Sequence, residues 1–178
     1  MNALIKVSRI LGGATLGLVM MYPALLNAQT EDAILQQVAS SENETFVNGV
    51  MVTQDGTRNE AYVHQVTTNN TSGVETLQAG DQNRIKLMQA GNYLEIEITQ
   101  DGSGNLYEGD IRGQDARIDI GQDGLENIIF QSLYLKNSDI SIQQNGSQNE
   151  VVHSGTSSSS GLQIQQQGSG MKLIIQSY

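Results

Sequence analysis

A Gln-x-Gly motif recurs six times along this chain at an almost constant interval. Its glutamines are Gln54, Gln78, Gln100, Gln122, Gln144 and Gln166, and its glycines are Gly56, Gly80, Gly102, Gly124, Gly146 and Gly168. Successive glutamines lie 24, 22, 22, 22 and 22 residues apart. Five copies place Asn five residues after the Gln, at Asn59, Asn83, Asn105, Asn127 and Asn149, whereas the sixth has Met171 there. A repeat of this length and regularity is typical of a solenoid, in which each copy forms one structural unit.

Each copy contains two segments in which apolar and polar residues alternate. Ile96 and Ile98 alternate before Gln100, and Ile85 and Leu87 alternate after the preceding Asn of the motif. A period of two predicts strands with one buried face. Two seven-residue strands and two four-residue turns account for the 22 residues of a copy. Gly suits the first turn because it adopts positive φ without steric penalty.

Stacking of these copies at about 4.8 Å per rung predicts an all-β, cross-β solenoid of about six strand-turn-strand rungs over residues 48–178. Equivalent residues then lie above one another. The Gln and Asn residues of the motif are therefore predicted to form two side-chain amide ladders, because each amide offers a like neighbour both a donor and an acceptor. A third inward position, which closes the copy, is Gln only at Gln65 and Gln89. Later copies have Ile111, Leu133, Gly155 and Ser177 there. The first interval of 24 predicts a two-residue insertion between Gln65 and Ser72.

Outward positions provide an independent check, since cross-strand neighbours should not all share one sign of charge. The alignment stacks Glu60 on Arg84, Lys86 on Glu108, and Glu95 on Arg117 followed by Asp139. It also stacks the like charges Glu75, Glu97 and Asp119, a cost that would slow uncontrolled assembly. Phe130, Val152 and Ile174 would form an exposed apolar stripe.

Composition argues against an ordinary globular core, because the chain has 4% aromatic residues, one Pro and no Trp. The absence of Cys excludes a disulfide framework. The formal net charge of −10 argues against nucleic acid as a partner.

The N-terminal segment resembles a secretory signal peptide over residues 1–28. Its only charges are Lys6 and Arg9, an apolar stretch follows them, and cleavage is predicted after Ala28. Its removal would change the formal net charge from −10 to −12. Residues 29–47 lie outside the repeat and are interpreted as a flexible or targeting segment.

A catalytic role is not indicated. His64 and His153 lie in different copies without phased Asp, Glu or Ser partners, and no phosphate-loop or metal-ligand spacing occurs. We therefore expect no enzyme, no cofactor, no metal and no small-molecule substrate. A monomeric β-solenoid adhesin or binding module stays an alternative hypothesis. It would need end caps and a flat repeated face, for instance paired Thr columns, and Thr does not recur in that way.

The segment Ser138-x-Ile140-x-Ile142-x-Gln144-x-Gly146-x-x-Asn149-x-Val151 resembles the curlin repeat, and the resemblance covers roughly residues 43–178. It implies a subunit of curli, the extracellular functional amyloid fibres that take part in adhesion and biofilm matrix on the surface of Gram-negative bacteria. The implied partners are other curlin subunits, a dedicated outer-membrane secretion channel and its accessory factors.

Within this family, the degenerate last copy with Met171 resembles the minor, nucleating subunit more than the major one. The segment after the signal also lacks the Gly-rich lead of the major subunit. The strong acidity favours the major subunit, which stays the alternative. In either case both end rungs are expected to present open strand edges, since no capping element is visible.

Overall fold

A computed structural model describes residues 49–66, 72–157 and 161–178, together with the backbone of three N-terminal strands. The strands in chain order are β1 (Ile5–Arg9), β2 (Leu18–Met20), β3 (Ala33–Val38), β4 (Gly49–Thr57), β5 (Glu60–Gln65), β6 (Gly73–Asp81), β7 (Arg84–Gln89), β8 (Leu94–Ser103), β9 (Leu106–Leu125), β10 (Ile128–Ser147), β11 (Glu150–Ser157), β12 (Leu162–Ser169) and β13 (Lys172–Ser177). The described part of the chain contains no helix that could cross a membrane.

From β4 onward the strands form six stacked rungs, paired in parallel. Rung 1 consists of β4 and β5, rung 2 of β6 and β7, rung 3 of β8 and residues 106–112, rung 4 of residues 114–125 and 128–136, rung 5 of residues 138–147 and β11, and rung 6 of β12 and β13. Every Gln of the motif pairs with the Gln of the next rung, and every motif Gly with the next Gly. The predicted all-β solenoid with 22-residue rungs is confirmed.

The core lies between the two strands of each rung. On the first strand the column Val50, Val74, Ile96, Ile118 and Ile140 is buried, and on the second strand the column Ala61, Ile85, Tyr107, Ile129 and Val151 is buried. Each aliphatic side chain buried in this way contributes about 1.5–3 kcal/mol. The alternation seen in the sequence therefore decides which face of each strand points inward.

The second corner of the rung differs from the predicted four-residue turn. β9 and β10 each run for 20 residues through that corner, and Gln114 pairs with Lys136 within it. The chain bends there through single residues with positive φ, Asn92, Asp115 and Asn137. Asn and Asp tolerate this left-handed conformation better than most residues, so the ladder of strand pairs continues around the corner.

In the full chain the first rung is not the open edge that was expected, although β1 lies within the predicted signal peptide and its removal would leave β5 unpaired on that side. β1 pairs in parallel with β5, and residues Ala33–Leu35 of β3 pair antiparallel with Val52–Gln54 of β4. The last rung has no strand beyond it among the described residues, and Ile174 there is 58% exposed. The predicted cleavage site at Ala28 and the insertion at residues 67–71 lie outside the described residues.

Candidate assembly interface

The six motif glutamines form one continuous hydrogen-bonded column inside the solenoid. All six side chains are buried. The Nε2 of each Gln donates to the Oε1 of the Gln in the next rung, over distances of 2.5–3.0 Å. From Gln78 onward Nε2 also donates to a backbone oxygen of the preceding rung, as from Gln100 to Arg84. A backbone carbonyl can only accept, so this second bond fixes which end of the amide faces it.

The Gln column has a direction, and its two ends differ chemically. Every bond between two of these amides runs from Nε2 to the Gln on the C-terminal side, so no Gln donates to Gln54. The Oε1 of Gln54 is buried and has no hydrogen-bond partner. At the other end the Nε2 of Gln166 turns to backbone oxygens of Glu150 and Met171, at 3.3 and 3.4 Å. A buried acceptor without a donor costs about 1–3 kcal/mol, so Gln54 marks an incomplete end of the column.

The motif asparagines are buried too, but they bind mainly to the backbone. The Nδ2 of each Asn donates to the carbonyl of the motif Gly in the next rung, at 2.8–3.1 Å. Its Oδ1 accepts from the backbone N–H of the residue above it in the next rung, at 3.0–3.2 Å. Direct amide–amide bonds join Asn105 to Asn83 and Asn149 to Asn127. The Asn column thus holds the first turn of one rung onto the first turn of the next.

The motif glycines are required by this close stacking of turns. Their φ values lie between +95° and +129°, a region that other residues avoid. A Cβ placed on Gly102 would also overlap the Gly124 carbonyl, with the Gly124 carbon 2.9 Å away. The equivalent overlap occurs at Gly56, Gly80, Gly124 and Gly146.

The two closing glutamines are stacked in register but form no ladder. The Nε2 of Gln65 donates to the Ser72 carbonyl at 3.2 Å. Both amide atoms of Gln89 are buried without a hydrogen-bond partner. The next residue in this column is Ile111, which offers no donor or acceptor. The closing position is therefore a region of unsatisfied polar groups, unlike the motif columns.

A polar cluster in the second strands was not identified from the sequence. The Tyr107 ring is fully buried and fills the space above Gly109, where an added Cβ would lie 2.9 Å from the ring carbon Cζ. Its hydroxyl donates to the Oε1 of Gln131 at 2.9 Å. His153 stacks directly on Gln131, and its Nε2 lies 3.5 Å from the Ser177 hydroxyl. The only sequence signal was Gly109 two residues after Tyr107, at an inward position that is apolar in rungs 1, 2 and 6 and polar in rungs 4 and 5.

Burial changes the acid–base properties of this cluster. It raises the pKa of Tyr107 above its ordinary value and lowers the pKa of His153. In both cases loss of hydration disfavours the charged form. His153 Nδ1 and Gln131 Nε2 have no hydrogen-bond partner. Protonation of His153 is therefore disfavoured in the folded rung.

The outward columns place most of the expected opposite charges together. Ion pairs join Glu60 to Arg84 at 2.8 Å, Glu108 to Lys86 at 2.5 Å and Glu95 to Arg117 at 3.3 Å. A further pair, Glu150 to Lys172, joins rungs 5 and 6 at 2.9 Å. Asp139 pairs in register with Arg117 along the strand. These exposed pairs contribute little stability and serve mainly to favour this register over others.

Two stretches of the outward columns contain no such opposite charges. Glu75, Glu97 and Asp119 occupy successive positions of one column on the first strands. Phe130, Val152 and Ile174 continue the column of Lys86 and Glu108 through rungs 4 to 6, and among these three only Ile174 is exposed, at 58%. The first-strand face is therefore acidic, and the second-strand face carries most of the ion pairs.

Fold and geometry define a class of protein: a parallel β-solenoid with internal amide columns, whose last rung has no strand paired on its outer side among the described residues. Comparison of the sequence with protein families identifies the repeat itself. Residues 48–76 match the curlin associated repeat. No curated protein and no solved structure matches the chain. The matched segment contains rung 1 and the start of rung 2, and the same columns continue through rung 6.

Proposed function

We propose that this protein is a structural subunit of extracellular amyloid fibres of the curli type, and that it acts as the minor subunit, which nucleates polymerisation. One observation carries the proposal: the continuous Gln column ends in an unpaired acceptor at Gln54 and an open rung at Gln166. A second chain stacked in the same register would bring the donor of Gln166 to the acceptor of Gln54. The end-to-end contact would then repeat the internal one.

Outward residues of the two end rungs support the same stacking. Lys172 occupies the column that begins with Glu60, so a second chain would place these opposite charges next to each other. Inward, the larger Leu162 and Ile164 of rung 6 would contact the smaller Val50 and Val52 of rung 1. Addition of strands to a sheet edge supplies backbone hydrogen bonds along both strands of the rung.

The minor role rests on how the columns change toward the C-terminus. The motif Gln persists to rung 6, whereas the closing Gln is lost after rung 2 and the motif Asn is replaced by Met171. Rung 1 keeps every residue of the motif, whereas rung 6 lacks the Asn and the closing Gln. Such a difference between the two ends suits a subunit that starts a fibre. By this proposal the chain is secreted through an outer-membrane channel of a Gram-negative bacterium and contributes to adhesion and biofilm matrix.

Two measurements test the proposal. The secreted chain, purified without denaturant, should form fibres that bind thioflavin and diffract at the cross-β spacings of about 4.8 Å and about 10 Å. A chain that stays monomeric for days at high concentration would contradict the fibre role. Trace amounts of its fibres should shorten the lag of a major curlin subunit, and an unchanged lag would contradict nucleation while leaving the fibre role in place.

A further inference from the structure

The bonds from the motif Asn side chains to the backbone of a neighbouring rung all point one way. In each of the first five rungs, the Asn side chain serves two backbone groups of the rung on its C-terminal side: the motif Gly carbonyl and the N–H of the residue in the Asn position. A rung therefore depends on the Asn of the rung before it. No motif Asn side chain in the described rungs binds a backbone group of the rung before it.

Rung 6 is bound in this way by Asn149 of rung 5, but it has no Asn that could bind a following rung. The Met171 N–H donates to Asn149 Oδ1 at 3.2 Å, and the Gly168 carbonyl accepts from Asn149 Nδ2 at 2.9 Å. The Met171 backbone thus lies where a motif Asn would lie, yet its side chain has no amide. Its Cε lies 3.7 Å from the point where a Cβ on Gly168 would stand. In earlier rungs that space belongs to the Gly carbonyl of the next rung.

Rung 1 lacks the hydrogen bonds that the Asn of a preceding rung would supply. A rung stacked in front of it must supply an amide to the Gly56 carbonyl and to the Asn59 N–H, as Asn59 itself does for rung 2. Within rung 1, β1 pairs with residues 61–65 and β3 with residues 52–54, so neither ladder includes the first turn. In the secreted chain β1 is removed with the predicted signal peptide, so a subunit that stacks on rung 1 would displace only β3 and would meet this turn.

A junction between two copies of this chain is consequently incomplete. Gln166 would continue the Gln column onto Gln54, but Met171 would leave the Gly56 carbonyl and the Asn59 N–H without their usual partner. Buried backbone groups without a partner weaken an interface more than a missing contact does. The same loss applies to any related rung that stacks on rung 6.

We infer that Met171 is a one-residue cap on the C-terminal edge, and that rung 1 is the edge that templates growth. The preferred partner at rung 1 is a curlin-type subunit whose own last rung keeps an Asn at the position equivalent to Met171, rather than a second copy of this chain. This inference rests on the proposed function and adds to it the identity of the growing end and the chemistry of the subunit that fits there.

The test uses the chain itself as the complementary partner. Met171→Asn restores the missing amide in a backbone that already has the Asn conformation, and Met171→Leu is the matched control without an amide. The soluble concentration left at equilibrium with fibres is measured for the wild type and both variants. We expect Met171→Asn to lower it about tenfold or more, because two buried backbone groups gain partners, and Met171→Leu to leave it unchanged.

Two-colour microscopy then identifies the growing end. When Met171→Asn monomers are added to labelled wild-type seeds, extension should start mainly at one end, because the first monomer to add meets the new Asn only at the rung 1 end of the seed. Growth from both ends at equal rates, or equal soluble concentrations for all three proteins, would overturn the inference and leave the fibre role intact. Failure of all three proteins to form cross-β fibres would overturn the proposed function as well.

Discussion

The first turn and the second strand of each rung differ in how strictly their inward residues recur and in how fully their buried polar atoms are paired. At the first turn, Gln, Gly and Asn recur in nearly every rung, and the internal members of these columns have hydrogen-bond partners on both sides. Along the second strands the inward residues change from rung to rung, and Gln89, Gln131 and His153 each keep an unpaired buried atom.

The difference shows how a repeat protein separates two tasks. Identical columns make every rung able to stack on every other, which suits assembly but leaves the register open to slippage. Tyr107, Gly109 and Gln131 fit only one another across rungs 3 and 4, so they favour one register within the chain. The recurring first-turn columns promote stacking, and the variable inward residues of the second strands specify its register.

The largest expected loss of stability comes from substitution of a glycine in the first-turn columns. Gly102→Ala should destabilise the solenoid by at least about 3 kcal/mol, because Cβ would overlap the Gly124 carbonyl at a φ of +110°. The free energy of unfolding from denaturant titration measures this. Gly104→Gln is the control, since Gln82 and Gln148 occupy its position in other rungs with φ near its +70°. Equal losses in both variants would mean that the turn glycines have no special role.

Removal of one ladder amide should have the next largest effect. Gln122→Leu removes the donor to Gln144 and the acceptor of Gln100, at an expected cost of about 2–4 kcal/mol in the free energy of unfolding. Gln89→Leu should have the opposite sign and stabilise the chain by about 1–2 kcal/mol, because both amide atoms of Gln89 are buried without partners. If both variants lose stability equally, the contrast between the first-turn columns and the second strands does not hold.

A smaller effect is expected in the polar cluster. Tyr107→Phe keeps the ring in the space above Gly109 but removes the hydroxyl that donates to Gln131, so it should cost about 1–2 kcal/mol. Tyr93→Phe provides the control, since Tyr93 is 60% exposed and should change stability little. Thermal or denaturant unfolding of the two variants compares them directly, and a neutral Tyr107→Phe would show that shape alone matters in the cluster.

The smallest effect is a pH dependence due to His153. Burial lowers its pKa in the folded state, so the unfolded chain binds more protons once the pH falls to the ordinary value near 6.5. Stability should therefore decrease as the pH falls from 7 to 5.5, by at most about 1.4 kcal/mol per pH unit. His153→Leu should remove this slope, as measured by denaturant titration at several pH values. A slope that persists in the variant would assign it to other groups.

Periodicity alone predicted the rungs, the phase of the strands and the stacking of the glutamines. These features depend on residues that recur, and recurrence at 22 residues fixes which residues become neighbours. The alternation around Ile96 and Ile118 likewise predicted the buried face. Fold and first-turn columns were therefore accessible from the sequence.

Features that depend on unlike neighbours could not be predicted in this way. The fit of Tyr107 over Gly109 requires knowing that both point inward and how far the ring reaches. The Asn column was expected to form amide–amide bonds, but it binds mainly backbone because its short side chain reaches the Gly carbonyl of the next rung. The continuous strands through the second corner depend on single left-handed residues such as Asp115, which resemble ordinary turn residues in the sequence.

The shared direction of the Gln amides has an electrical consequence. Each side-chain amide is a small dipole, and six of them aligned head to tail add along the axis, as peptide groups do in an α-helix. The carbonyl end of this column is at Gln54 and the N–H end is at Gln166. Chains stacked in one direction would extend the column from subunit to subunit. Such a fibre would be an electrically polar rod, and neighbouring rods would attract each other most strongly when they lie antiparallel.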